Sequence, residues 1–257
     1  MTEVLAIATD TVEPATASRA ERCEDYRLRA QFYRLLSGAF IEEPAAAYLS
    51  ALRSPETLAA LAELGVRFDA DFLEPPITAL EQALAHEYTM LFAASGGFPP
   101  VESVRRQGGY QQAACFEVRE VYRRAGFQVV PGRFQVFEDQ LGIELQFVAE
   151  LLERCAAALD RGEHLEARRL EKEIKRFWAL HLGRWIRGYG VLLEKVTEHS
   201  FYREMARLLR GFAEAELELL GVHVEDEDHG KLKVQRSELA GLVEQGASAC
   251  GACRGTD

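Results

Sequence analysis

The sequence predicts an all-α domain, and three observations carry that expectation. Apolar residues recur at spacings of three and four over long stretches. No segment alternates Val, Ile or Thr with polar residues between turn signals, as a strand would. No repeat at a fixed period appears, so a single bundle of roughly eight to ten helices is expected rather than a solenoid.

Residues 1–20 are rich in Ala, Thr, Glu and Pro and read as a disordered N-terminal segment. The helical domain is expected over 21–221. Tyr26, Ala30, Tyr33, Leu36 and Phe40 mark the apolar face of its first helix, which Pro44 ends. Short helices follow over 44–52 and 55–64, each opening on a proline that the first turn tolerates. Leu80, Leu84, Tyr88 and Leu91 carry the next, from Pro76 to about Ala94. The stretch 95–110, with two glycine pairs and Pro99-Pro100, reads as loop. A helix is expected over 111–125.

The longest helical signal comes next. Phe137, Leu141, Leu145, Val148, Leu152 and Cys155 form one stripe, and Ile143, Phe147 and Leu151 widen it, which places this helix at the centre of the bundle. Gly162 ends it. Further helices are expected over 163–195 and 200–220, the last capped by Ser200. Residues 222–257 begin with the acidic run HVEDEDHGK, end in small polar residues, and read as a flexible tail.

The net charge of −11 over 257 residues repels phosphate backbones and argues against nucleic-acid binding. Five cysteines (Cys23, Cys115, Cys155, Cys250 and Cys253) without a dense framework fit a reducing compartment. No apolar run approaches the roughly 20 residues of a membrane span, so a cytoplasmic protein with no stable membrane insertion is expected. Either monomer or dimer is compatible.

Catalytic signatures are missing. There is no phosphate loop, no dinucleotide fingerprint, no GxSxG elbow and no HExxH helix. Di-metal carboxylate bundles need Glu-x-x-His pairs; only His229 has an acid three residues before it, Asp226, and both lie in the expected tail. No enzyme, no cofactor and no firm metal site are therefore expected. Cys250-Gly-Ala-Cys253 supplies two thiolates where a structural zinc needs four ligands, which makes these cysteines weak metal candidates. The alternative reading is a helical metal-binding or regulatory protein that uses this tail. The arginine pairs 105–106, 123–124 and 168–169 read as solvated charge.

Three short patterns remain. The first is Glu87-Tyr88-x-x-Leu91-Phe92, followed by Pro99-Pro100-Val101-Glu102-Ser103-Val104. The second is Asp139-Gln140-x-x-x-Glu144-Leu145-x-Phe147. The third is Phe177-x-x-x-His181-Leu182-x-x-Trp185, followed by Phe201-Tyr202. Each aromatic stripe alone fits ordinary core packing. Asp139 and Glu144, however, put acids into the most apolar helix, where an unpaired carboxylate is costly to bury.

In this order and spacing, the patterns resemble the redox-enzyme maturation chaperones, the family that includes the assembly proteins of trimethylamine-oxide, dimethyl-sulfoxide and nitrate reductases. The resemblance covers about 26–220. It implies an all-helical chaperone without catalytic activity. Its partner would be the catalytic subunit of a molybdenum-cofactor oxidoreductase, held by an N-terminal, twin-arginine leader until cofactor insertion and assembly precede export. It also implies a peptide site of Tyr88, Leu91, Phe92, Pro100, Glu102, Ser103, Asp139, Gln140, Glu144 and Phe147. Gln140 stands where the family carries a histidine after the aspartate, which removes a titratable imidazole. A leader is cationic, then apolar, and the expected groove supplies Leu91, Phe92 and Phe147 as floor and Glu102, Asp139 and Glu144 as acids.

Overall fold

The computed structural model describes residues 18–130 and 137–230. Helix α1 (Arg19–Phe40) starts on a reciprocal cap: the Ser18 hydroxyl accepts from the Glu21 amide while the Glu21 carboxylate accepts from the Ser18 amide. The helix thus begins inside the segment expected to be disordered. The residues that follow form α2 (Ala46–Leu52), α3 (Pro55–Glu63), α4 (Ala70–Leu73) and α5 (Ile77–Tyr88). Helix α5 runs directly into a π-helical turn, Thr89–Ala93.

The stretch expected to be all loop contains α6 (Glu102–Gln107), which Gly108 ends with φ +80°. Beyond it come α7 (Ala113–Arg124), α8 (Leu141–Asp160), α9 (His164–Leu180), a 3-10 turn at Leu182–Arg184, α10 (Ile186–Val196) and α11 (Ser200–Leu220). Among the described residues there is no strand, only an isolated antiparallel bridge between Val101 and Gln140. None of these helices is long and apolar enough to cross a membrane. The expected all-α domain is what the structure shows.

Helix α8 is central, with α1 along one side and α9 along another. Thirteen of its residues are buried, which accounts for its broad apolar stripe. Gly142 lets α1 approach: a Cβ there would overlap Ile41 at the end of α1, and the Ser37 hydroxyl donates to the Gly142 carbonyl at 2.9 Å. The apolar stripe predicted for α1 is buried throughout. Each such Leu or aromatic contributes about 1.5–3 kcal/mol on leaving water.

Polar ties link the layers. Trp178 Nε1 donates to Tyr33 Oη at 2.6 Å, and Tyr33 donates to Glu216 at 2.8 Å. Arg29 grips the same Glu216 carboxylate through Nε at 3.0 Å and Nη2 at 2.7 Å. This joins α1, α9 and α11 with all buried charge compensated.

Two terminal assignments are corrected. The N-cap of α11 is His199, whose ring accepts from the Phe201 amide at 3.1 Å; Ser200 instead donates its hydroxyl to Asp71. Residues 222–230 do not behave as tail. Val222 and Asp228 are buried, and the segment lies against α6 and α10. Residues 1–17 and 231–257, with Cys250 and Cys253, lie outside the described residues.

Candidate functional site

The three sequence patterns converge on one buried knot. The backbone of 100–102 pairs with that of 139–141: the Glu102 amide donates to the Asp139 carbonyl at 2.9 Å, and the Leu141 amide to the Pro100 carbonyl at 2.8 Å. Asp139 Oδ2 accepts from the Ser103 amide at 2.8 Å, satisfying an early amide of α6. Gln140 caps α8 by accepting from the Ile143 amide and donates to the Phe40 carbonyl. The third pattern enters through His181, whose Nδ1 lies 3.0 Å from Glu102 Oε2. Arg106 pairs with the other oxygen of Glu102.

Glu144 is the least satisfied member of this knot, in which Ser103 Oγ and Asp139 Oδ1 also lack a hydrogen-bond partner of good geometry. It is fully buried, and neither carboxyl oxygen has a hydrogen-bond partner of good geometry; nor does Trp185 Nε1 beside it. Burial, then the negative charges of Glu102 and Asp139, hold its carboxyl well above the usual range.

This knot overturns part of the expected site. Glu102, Ser103, Asp139, Gln140 and Glu144 were expected to face a peptide, but all are buried, at no more than 4% exposure. The reason is that tertiary partners satisfy most of them: Asp139 and Gln140 serve as caps, and Glu102 meets Arg106 and His181. Phe147 is equally enclosed, packed on Tyr122, Phe127 and Phe177. Phe92 is buried among Phe40, Tyr88 and Tyr202. Pro100 is buried in the backbone pairing, and half-buried Tyr88 donates to the Phe40 and Ile41 carbonyls.

Of the expected residues, Leu91 lines a surface cleft of about 610 Å³. The cleft opens where the π-helical turn widens the end of α5, a distortion frequent at functional sites. Its apolar lining is Ala83, Met90, Leu91, Phe98 and Val196, and Met90 is 57% exposed. The Phe98 amide donates to the Leu91 carbonyl, and the Phe98 carbonyl accepts from Tyr189 Oη at 2.7 Å, so both sides of the loop are anchored.

Three carboxylates, Asp71, Glu87 and Glu198, border the cleft together with His86 and His199. Glu87 accepts from the Glu198 and His199 amides at 2.8 and 3.1 Å. Burial of Asp71 would raise its pKa, but hydrogen bonds from Ser200 and the nearby His199 hold it below the ordinary aspartate range. The cleft therefore offers a partly exposed apolar floor with an anionic border. Sequence reasoning passed over most of this border, because Asp71 and Glu198 are far apart in the chain and neither belongs to a periodic pattern.

Among the described residues, no three His, Cys, Asp or Glu side chains are placed to hold a metal ion.

Residues 70–189 match the model of the family described as nitrate reductase delta subunit. That span runs from α4 into α10 and contains the π-helical turn and the buried knot. No curated protein matches the chain. Among solved structures, the chain is similar to the crystal structure of a proposed redox enzyme maturation protein from Archaeoglobus fulgidus. The two share 20% identity over 80% of this chain and 99% of that one, with a TM-score of 0.42. The match covers 120 of the 257 residues, and over that span, which holds the buried knot and the π-helical turn, the chain is similar to the nitrate reductase delta subunit family.

Proposed function

We propose that this protein is a cytoplasmic chaperone dedicated to one molybdenum-cofactor oxidoreductase. It binds the N-terminal, twin-arginine leader of the catalytic subunit and holds that subunit for cofactor insertion and assembly before export. It acts by binding and not by catalysis. The observation that carries this reading is the cleft at the π-helical turn, where Met90, Leu91 and Phe98 lie beside Asp71, Glu87 and Glu198.

A leader places cationic residues ahead of an apolar stretch. Its apolar part would bury surface on the floor, at about 25 cal/mol per Å² removed from water. Its arginines would meet the carboxylate border, which contributes register and association rate more than affinity. Glu198 and Asp71 are exposed and Glu87 is half-buried, while Glu87 and Asp71 also brace the start of α11. In this reading the buried knot acts indirectly, by fixing the 95–103 loop that carries Phe98.

The test is purification of the tagged protein from its native host, with the N-terminus of any co-purifying partner sequenced. A molybdoenzyme catalytic subunit carrying an intact leader is the expected result. A subunit that co-purifies without any leader would refute leader binding. Absence of any molybdoenzyme, under conditions where one is expressed, would refute the chaperone assignment to this client class.

A further inference from the structure

Residues 222–230 form a strap seated by charge rather than by apolar packing. Asp228 makes a two-pronged pair with Arg105, at 2.6 Å to Nε and 3.0 Å to Nη2, and both side chains are under 10% exposed. Glu227 joins Arg106 Nε at 2.7 Å and Arg184 Nη1 at 2.5 Å. Asp226 accepts from the Arg187 and Gly188 amides at the start of α10, each at 3.1 Å. With Arg187 Nε 3.5 Å from Asp226, three consecutive acids are thus read by four guanidinium groups and a helix N-terminus.

The seat also reads backbone. The Glu227 amide donates to the Arg184 carbonyl, and Arg187 Nη2 donates to the Val224 carbonyl at 2.8 Å. Gly188 is needed for this approach, since a Cβ there would overlap the Asp228 carbonyl oxygen. Val222 is the strap's one buried apolar side chain among the described residues. Taking a carboxylate away from the buried guanidinium of Arg105 without replacing it is costly. Whatever replaces the strap must therefore bring carboxylates in the same order.

We propose that this seat is a receptor groove for an extended acidic peptide of a partner protein, occupied in this structure by the chain's own 222–230. The inference is independent of leader binding, because it concerns a different face and the opposite charge. The two faces are nevertheless connected. The Arg105 guanidinium lies 5.4 Å from the centre of the Tyr189 ring, and Tyr189 holds the Phe98 carbonyl beside the cleft.

The experiment uses the full chain and a fluorescent peptide with the sequence of residues 222–230, read by anisotropy at low salt. The unaltered chain is compared with the triple variant Asp226→Asn, Glu227→Gln, Asp228→Asn, whose strap has lost its charge. A tethered strap competes at roughly millimolar effective concentration, so the triple variant should bind the acidic peptide at least about tenfold tighter than the unaltered chain. Adding Gly188→Ala to the triple variant should abolish that binding. Equal affinity for both chains would overturn the proposal, as would equal binding of a peptide with the three acids neutralised. Should the triple variant lose its helical circular dichroism, hydrogen exchange on the unaltered chain gives the answer. Excess acidic peptide should then speed exchange across 222–230, and no change relative to the neutralised peptide would overturn the groove.

Discussion

Replacing Glu144 by Gln isolates the energetics of the buried knot. The Glu144 carboxyl is fully buried, lacks a hydrogen-bond partner of good geometry, and lies near Glu102 and Asp139. Burial and those two charges hold its folded-state pKa well above that of an unfolded glutamate. The folded protein therefore binds a proton that the unfolded chain gives up in the acid range. The associated stability is complete below the ordinary glutamate pKa and is lost as pH rises toward the raised value.

The slope over that window is about 1.4 kcal/mol per pH unit for one proton. Glutamine stays neutral and keeps the donor hydrogen that a protonated acid would offer Glu102, so Glu144→Gln should remove this component of the pH dependence. With a urea m-value of about 2–3 kcal/mol/M, the midpoint of Glu144→Gln relative to the unaltered chain should rise by about 0.5 M per pH unit between the ordinary glutamate pKa and the raised one. The assay is urea unfolding followed by circular dichroism at several pH values. Parallel midpoints for the two proteins would refute a protonated Glu144.

Further predictions follow from individual packing sites. Phe92→Ala should cost about 3–5 kcal/mol, because Phe92 is enclosed by Phe40, Tyr88 and Tyr202; urea midpoints measure it. Glu216→Ala should cost a similar amount, about 3–5 kcal/mol, by leaving the largely buried Arg29 guanidinium without its carboxylate. Cys115, whose thiol is pushed up to about 12 by burial and then by Asp139 and Glu138, should resist alkylation at pH 8 in the native protein. Cys155, raised to about 12 mainly by burial, should behave likewise, and peptide mapping before and after denaturation checks both. Glu198→Lys should weaken leader-peptide binding at low salt and have less effect at high salt, as anisotropy titrations would report.

Long helices were legible because their periodicity is a direct imprint of burial. The α1 stripe from Tyr26 to Phe40 and the α8 stripe from Leu141 to Cys155 are the surfaces those helices bury. Helix α6 was not legible, since six residues between glycine and proline clusters carry too little period to register. The three patterns do meet, but sequence could not show that they meet inside the protein. Glu102 and Asp139 look like exposed acids until Arg106, His181 and the Ser103 amide are in view, and most of these contacts span dozens of residues. The strap misled for the same reason. HVEDEDHGK reads as solvated charge, and Arg105-Arg106 reads as a solvated pair, until each is found neutralising the other. Exposed pairs such as Arg123 and Arg124 with Glu120 have the same local sequence character and do stay at the surface.

If a client leader occupies the cleft at the π-helical turn, a photo-crosslinking residue at position 90 will capture it. Met90 is exposed on the cleft floor; Leu165, exposed on α9, serves as the comparison site. After irradiation in the native host, adducts at position 90 should contain the N-terminal residues of a molybdoenzyme catalytic subunit, with none at 165. Leader adducts at 165 but not at 90 would contradict leader binding in the cleft.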